Sequence, residues 1–225
     1  MVGLLVFLES WRNPSTYHQK VTTSKNNGVL AQATSVLRVP WARAILTIVF
    51  LEGMIVFGTL AFVPSYLHEH FGLTLTMAGA VMGLFGLGGL SYILFAKSFV
   101  HRFGESGLAL FGALLIASAW GLLAFASAWN WALLSSYFLG LGFYMLHNTL
   151  QTNATQMAPQ VRGTAVSLFA SAFFLGQSLG VVLAALLLEK LGAFPLFIIA
   201  ASFIPVLGAV FSRLLSLRHP VRSEA

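Results

Sequence analysis

Apolar residues in this chain run in long blocks separated by short polar segments, with little polarity inside the blocks. Crossing a bilayer core of about 30 Å takes about 20 apolar residues of helix. Six stretches approach or exceed that length, at 44–66, 75–95, 108–126, 129–150, 164–188 and 194–215. Their ionisable residues are Glu52, His147 and, close to one end, Arg213. A transmembrane barrel would need strands of about ten residues with alternating polarity, and no such alternation is present. The pattern predicts an all-α polytopic membrane protein with six transmembrane helices. It divides the chain into a leading segment at 1–43, a six-helix domain at 44–217 and a tail at 218–225.

The leading segment differs in kind. Between Glu9 and Arg43 the residues Asn13, Pro14, Ser15, Thr16, Lys25, Asn26, Asn27 and Gly28 predict a flexible loop. Met1 to Leu8 is apolar but too short to span. As a signal peptide it lacks the basic start and the small-residue cleavage site.

Composition sharpens the picture. Of 225 residues, 58% are hydrophobic and 8% charged, whereas a soluble domain carries about 25% charged residues. The absence of Cys removes disulfides, thiolate metal ligands and cysteine nucleophiles together. There is no Asp, no phosphate-binding Gly-rich loop followed by Lys and no His-Glu-x-x-His helix. No enzymatic activity, cofactor or metal is therefore expected. A Ser and His dyad is recognised by geometry rather than spacing, and nothing in the sequence points to one. The net charge of +6 raises nucleic acid as a partner, but basic residues scattered over so apolar a chain do not make a binding surface.

Those charges instead orient the domain. Arg12, Lys20, Lys25, Arg38 and Arg43 precede the first stretch, Lys97 and Arg102 follow the second, Arg162 follows the fourth, and Arg213, Arg218 and Arg222 close the chain. Only Lys190 falls on the other side. By the positive-inside rule both termini are cytoplasmic, in the cell membrane, which is the inner membrane in a Gram-negative bacterium. Trp129 and Trp131 then mark the outer interface and Trp41 the inner one.

In lipid, polar side chains face protein or water, and small residues let helices approach. Glu52, Thr59 and Tyr66 recur every seven residues, which predicts one shared helix face. Tyr144, His147, Asn148 and Gln151 form a similar group on the fourth stretch, and Gln177 adds a polar group to the fifth. The third and sixth stretches carry fewer polar groups and are expected to be peripheral. Ala172, Gly176, Gly180 and Ala184 make one small-residue ridge, and Gly79, Gly83 and Gly86 another; both are expected to be packing surfaces.

Glu52 is the sharpest functional candidate. A carboxyl near mid-span costs about 3 kcal/mol to insert, and desolvation favours its neutral form, which suits a proton carrier. The alternative is a neutral Glu hydrogen-bonded between helices. His147 suits substrate binding or proton relay, or packing alone. His68, Glu69 and His70 have zinc-ligand chemistry, but no second ligand cluster accompanies them.

Two loop segments carry a resemblance. Ala158 to Ser167, which includes Pro159, Arg162, Gly163 and Ser167, together with Gly176 and Gly180, resembles the start of helix eleven in major facilitator superfamily transporters, most of all the bacterial arabinose-efflux and drug-antiporter branch. His101-Arg102-Phe103-Gly104-Glu105 resembles the family's loop between helices eight and nine through Arg102 and Gly104, with His101 in place of an acid and Glu105 in place of a base. The resemblance covers about Leu37 to Leu217. It implies a C-terminal six-helix half, with Met1 to Leu8 as the stump of helix six and the polar leading segment as the interdomain loop. It further implies secondary-active transport, proton-coupled efflux of a small organic solute, and a partner in the bilayer that is a separate N-terminal half or a second copy. A reading from a different class is a truncated, non-transporting membrane protein or assembly subunit.

Overall fold

The computed structural model describes residues 28–218, and among them every regular element is helical. The elements are α1 (Val29–Arg38), α2 (Pro40–Glu52), a π turn (Gly53–Phe57), α3 (Gly58–Leu60), α4 (Val63–Phe71), α5 (Leu75–Ala124), α6 (Trp131–Gln156), a 3-10 turn (Pro159–Val161), α7 (Arg162–Leu191) and α8 (Ala193–Arg218). Of these, α2 to α4 follow one another as a single 32-residue rod, Pro40–Phe71. Among the described residues, four helices or rods are long and apolar enough to cross a membrane: Pro40–Phe71, Leu75–Ala124, Pro159–Leu191 and Ala193–Arg218.

Six such segments were expected, and the difference has two sources. The first is α5, whose 50 residues would extend about 75 Å as a straight helix, far beyond one bilayer core. It is not straight. Gly104 has φ 62° and ψ 178°, a backbone region open essentially to glycine alone. Gly88, before that break, packs against Tyr137 and Leu141, while Gly112, after it, packs against Gly142 and Leu146. Residues 24 positions apart therefore meet neighbouring turns of α6, so α5 folds back into two arms, 75–103 and 105–124. The second is α6, where Ser135, Ser136, Tyr137, Tyr144, His147, Asn148, Thr149, Gln151 and Asn153 dilute the apolar sequence.

Contacts between elements show which ends lie together. Glu105 meets Asn153 and Ser106 meets Ser216, and Arg218 lies over Trp41. The start of the rod, the Gly104 turn, the end of α6 and the end of α8 thus share one end of the bundle. At the other end Phe125 contacts Phe194. The rod, the two arms, α6, α7 and α8 run alternately between these ends.

The expected loop before the first span is corrected over its described part. Residues 29–38 form α1, and helix resumes at Pro40, which occupies a first-turn position that needs no N–H donor. The alternation of Val29, Leu30, Ala33, Val36 and Leu37 with polar residues gives α1 an apolar face, and Val36 is fully buried. Thr164 Oγ1 donates to Gln32 Oε1 at 2.7 Å, tying α1 to α7. The expectations for Met1 to Leu8 and for the turn-forming residues up to Asn27 lie outside the described residues, as do those for the tail beyond Arg218.

Burial also departs from the polarity reading. The arm 105–124, expected to be peripheral, packs one face between α6 and α8, with Leu108, Ala109, Ala113, Ile116, Ala119, Trp120 and Leu123 buried, and leaves Leu110, Phe111 and Leu114 exposed on the other. An arm with few polar groups can bury one such face in apolar packing at no desolvation cost, so scarcity of polarity does not by itself mark an unburied helix. Of the two small-residue ridges, only that of α7 packs as expected. A Cβ on Gly176 would overlap the carbonyl oxygen of Phe50, and one on Gly180 would overlap that of Met54. Gly79, Gly83 and Gly86 instead face open space, with nothing within 4 Å of where a Cβ would sit. Ala78, Val81, Gly88, Gly89 and Tyr92 form the packed face of that arm.

Candidate functional site

Glu52 is the last residue of α2 before the π turn, and its side chain is wholly buried. π turns widen a helix locally and are frequent at functional sites. Here Gly53 opens the turn, and its bare Cα lies against the Phe173 carbonyl and Gln177 N of α7. Across the interior, His147 of α6 reaches the same point. Its Nδ1 and Glu52 Oε2 share a hydrogen bond of 2.7 Å. Glu52 Oε1 is buried without a hydrogen-bond partner among the described residues.

Aromatic rings enclose the pair. The His147 ring stacks on Phe143 at 4.8 Å and tilts against Phe173 at 4.9 Å and Phe169 at 5.4 Å. Phe57, from the π turn, meets Phe143 and Phe173 edge-on. This low-polarity collar strengthens the hydrogen bond and makes an unpartnered charge costly. His147 keeps 18% of its side-chain surface accessible. The arrangement is a hydrogen-bonded carboxyl and imidazole, buried except for part of the imidazole.

The other expected site residues divide around this pair. Tyr144 lies half-buried beside Gly89 and Phe143. Asn148 donates from Nδ2 to the Tyr144 carbonyl at 2.9 Å, and so is engaged within α6. Gln151 is exposed and Gln177 half-buried. Thr59 is buried but lines a hollow of about 290 Å³ with Gly180, Leu183, Leu196 and Ala200. Tyr66 packs edge-on against Phe197 and stacks on His70. The seven-residue stripe is thus divided: Glu52 points to α6, whereas Thr59 and Tyr66 reach residues of α8. A π turn takes up an extra residue, so a spacing of seven across 53–57 does not return to one face.

Among the loop-motif residues, Gly104 makes the reversal between the arms, and Arg102 and His101 are exposed. Glu105 accepts from Asn153 Nδ2 at 2.9 Å. Pro159 begins the 3-10 turn. Arg162 Nε donates to the Thr155 carbonyl at 2.9 Å, holding the end of α6 to the start of α7. Gly163 and Ser167 are exposed. His68 Nδ1 is engaged with the Leu73 carbonyl at 2.6 Å. No group of three or more metal-ligating side chains occurs among the described residues.

Sequence reasoning missed Asn153, Phe143, Phe169 and Phe173. The aromatic residues carried a signal, since Phe143 with His147 and Phe169 with Phe173 are each four apart and share a helix face. Asn153 carried none, because its partner lies 48 positions away.

No curated protein matches the chain. Among solved structures it is similar to one described as the crystal structure of a POT family transporter in complex with thioalcohol conjugated peptide, with a TM-score of 0.58 and 17% identity. The similarity covers 96% of this chain and 52% of that one, so the chain spans about half the length of the transporter whose fold it shares. The family model for the Major Facilitator Superfamily matches residues 1–181. With that match over most of its length, on a bundle of apolar helices, the chain is a multi-pass membrane protein belonging to the Major Facilitator Superfamily.

Proposed function

We propose that this chain is a C-terminal six-helix half of a secondary-active transporter, working by proton-coupled efflux of a small organic solute, with Glu52 and His147 as the coupling pair. The observation that carries the reading is the pair itself: a buried carboxyl sharing a proton with an imidazole, one oxygen free and the imidazole partly accessible. An ionisable group within a membrane helix marks an ion or substrate pathway by default. Coverage of 52% of a solved transporter supports one half of a pathway, completed by a separate N-terminal half or a second copy. The folding back of α5 supports six crossings rather than four. Eleven basic residues in the segments assigned to one side support cytoplasmic termini in the cell membrane. The loop motifs support the arabinose-efflux and drug-antiporter branch.

The test is transport in inside-out vesicles containing the chain and its matching half, loaded against a panel of sugars and organic cations. Accumulation driven by a proton gradient is expected in the parent and lost in Glu52→Gln, while downhill exchange persists. Equal accumulation by the Gln variant would make Glu52 a structural residue.

A further inference from the structure

Away from the Glu52 and His147 site, α2 and α8 flank a crevice of about 500 Å³ whose lining includes Thr47, Leu51, Ile55, Phe203, Val206 and Val210. At Met54, Ile55 and Ile199 it meets the hollow beside Thr59. Phe203, Val206 and Val210 are exposed, so the crevice is open along its side on helices that cross a bilayer.

Both walls end in the same way. Arg43, Thr47 and Leu51 are spaced by four along α2, and Phe203, Val206, Val210 and Arg213 by three or four along α8, so each set lies on one helix face, and Ile55 joins the first wall from the π turn. Trp41 stacks on Phe211 and Arg218 lies over Trp41, which brings the arginine-bearing ends of both walls to one end of the bundle. Arg43 and Arg213 are exposed. Neither has a hydrogen-bonding, ionic or ring partner among the described residues. From Arg43 to Ile55 the rod rises about 18 Å, close to the roughly 15 Å depth of one leaflet's hydrocarbon.

We propose that this crevice binds an anionic phospholipid, with the headgroup phosphate between Arg43 and Arg213 and an acyl chain lying along the apolar walls. Two exposed arginines without a partner among the described residues, and a channel of apolar surface with about one-leaflet depth, match the two ends of such a lipid. A soluble anion would leave the channel without a role, and an uncharged lipid would leave the arginines without one. Basic residues near a membrane surface attract anionic lipid, and here each lies about one helical turn beyond the crevice lining, Arg43 before Thr47 and Arg213 after Val210.

The test uses the full chain in detergent, with phosphatidylglycerol and phosphatidylcholine of matched acyl chains as probes and native mass spectrometry of retained lipid as readout. The parent is expected to retain phosphatidylglycerol with a preference of roughly thirty-fold, which is about 2 kcal/mol at 1.4 kcal/mol per tenfold. Arg43→Gln with Arg213→Gln should bring the preference close to unity, and Arg43→Lys with Arg213→Lys should keep most of it, which separates charge from folding. Val206→Trp should reduce retention of both lipids by filling the slot. Lys97→Gln, an equal loss of charge elsewhere, should change nothing. A photoreactive acyl chain should label residues within 47–55 and 199–210. No preference in the parent, a preference that survives the Gln pair, or crosslinking of a cysteine at Val206 to a second copy of the chain in place of lipid labelling would overturn the proposal.

Discussion

His147 Nδ1 and Glu52 Oε2 lie 2.7 Å apart across 95 positions of sequence, and the pair joins the rod that begins the bundle to α6. Removing one member of a buried pair costs about 3–5 kcal/mol because the other is left unpaired. His147→Ala is therefore expected to lower the unfolding midpoint of the detergent-solubilised chain strongly. Glu52→Gln, which keeps a hydrogen-bonding group at the same place, should lower it less. In a double-mutant cycle of Glu52→Leu and His147→Ala, the double variant should be less destabilised than the sum of the singles, by about 0.5–3 kcal/mol. Strict additivity would mean the two side chains do not interact.

The packing of α7 on the rod gives a second prediction. A Cβ on Gly176 has no space beside the Phe50 carbonyl, and backbone cannot move aside as a flexible side chain would. Gly176→Ala should destabilise by about 1–3 kcal/mol through overpacking. Gly83→Ala should be neutral or slightly stabilising, since glycine is the poorer helix former by about 1 kcal/mol and the position is open. Thermal unfolding of both variants checks the contrast. Equal losses would place Gly83 in an interface of the chain with itself.

Much of the helical architecture was legible because apolar length alone marks a helix that must satisfy its own backbone in lipid. Burial was not legible, because spacing shows which residues share a face but not what that face meets. The glycines at 79, 83 and 86 and those at 176 and 180 read alike in sequence, yet only the second set touches another helix. Glu52 stood out from the cost of a carboxyl in an apolar run. His147 stood out too, as an ionisable residue in another apolar stretch, but the pairing was not legible, because the two lie 95 positions apart on different helices and the π turn breaks the stripe of Glu52 with Thr59 and Tyr66. Phe50, Met54 and Phe173 supply backbone to the glycine contacts, and backbone contacts leave no trace in residue type.

The reversal within α5 rests on one dihedral. At φ 62° and ψ 178° a side chain at Gly104 would be strained even though nothing crowds the position. Gly104→Ala should cost about 1–3 kcal/mol and loosen the hydrogen bond of Glu105 with Asn153 nearby. Gly121→Ala, in the arm that follows with ordinary helical backbone and open space, serves as the control. Thermal unfolding of the two variants gives the comparison, and an unaffected Gly104→Ala would mean that the turn relaxes to another conformation.

Membrane sidedness can be read directly because the sequence has no Cys, so a single introduced cysteine has no background. The bundle places His101 beside the Gly104 turn and Leu217 near the end of α8, at the end held together by Glu105 with Asn153, Ser106 with Ser216 and Trp41 with Arg218. Ser127 follows Phe125, at the end marked by the contact with Phe194. If α5 crosses the membrane twice, His101→Cys and Leu217→Cys must lie on one side and Ser127→Cys on the other. In the proposed orientation this first end, with Lys97, Arg102, Arg162, Arg213 and Arg218 around it, faces the cytoplasm. In intact cells an impermeant maleimide is therefore expected to label Ser127→Cys and spare the other two, with the pattern reversed in inside-out vesicles. Labelling of His101→Cys and Ser127→Cys from the same side would rule out the double crossing of α5. Labelling of His101→Cys and Leu217→Cys in intact cells, with Ser127→Cys spared, would keep six crossings but invert the chain.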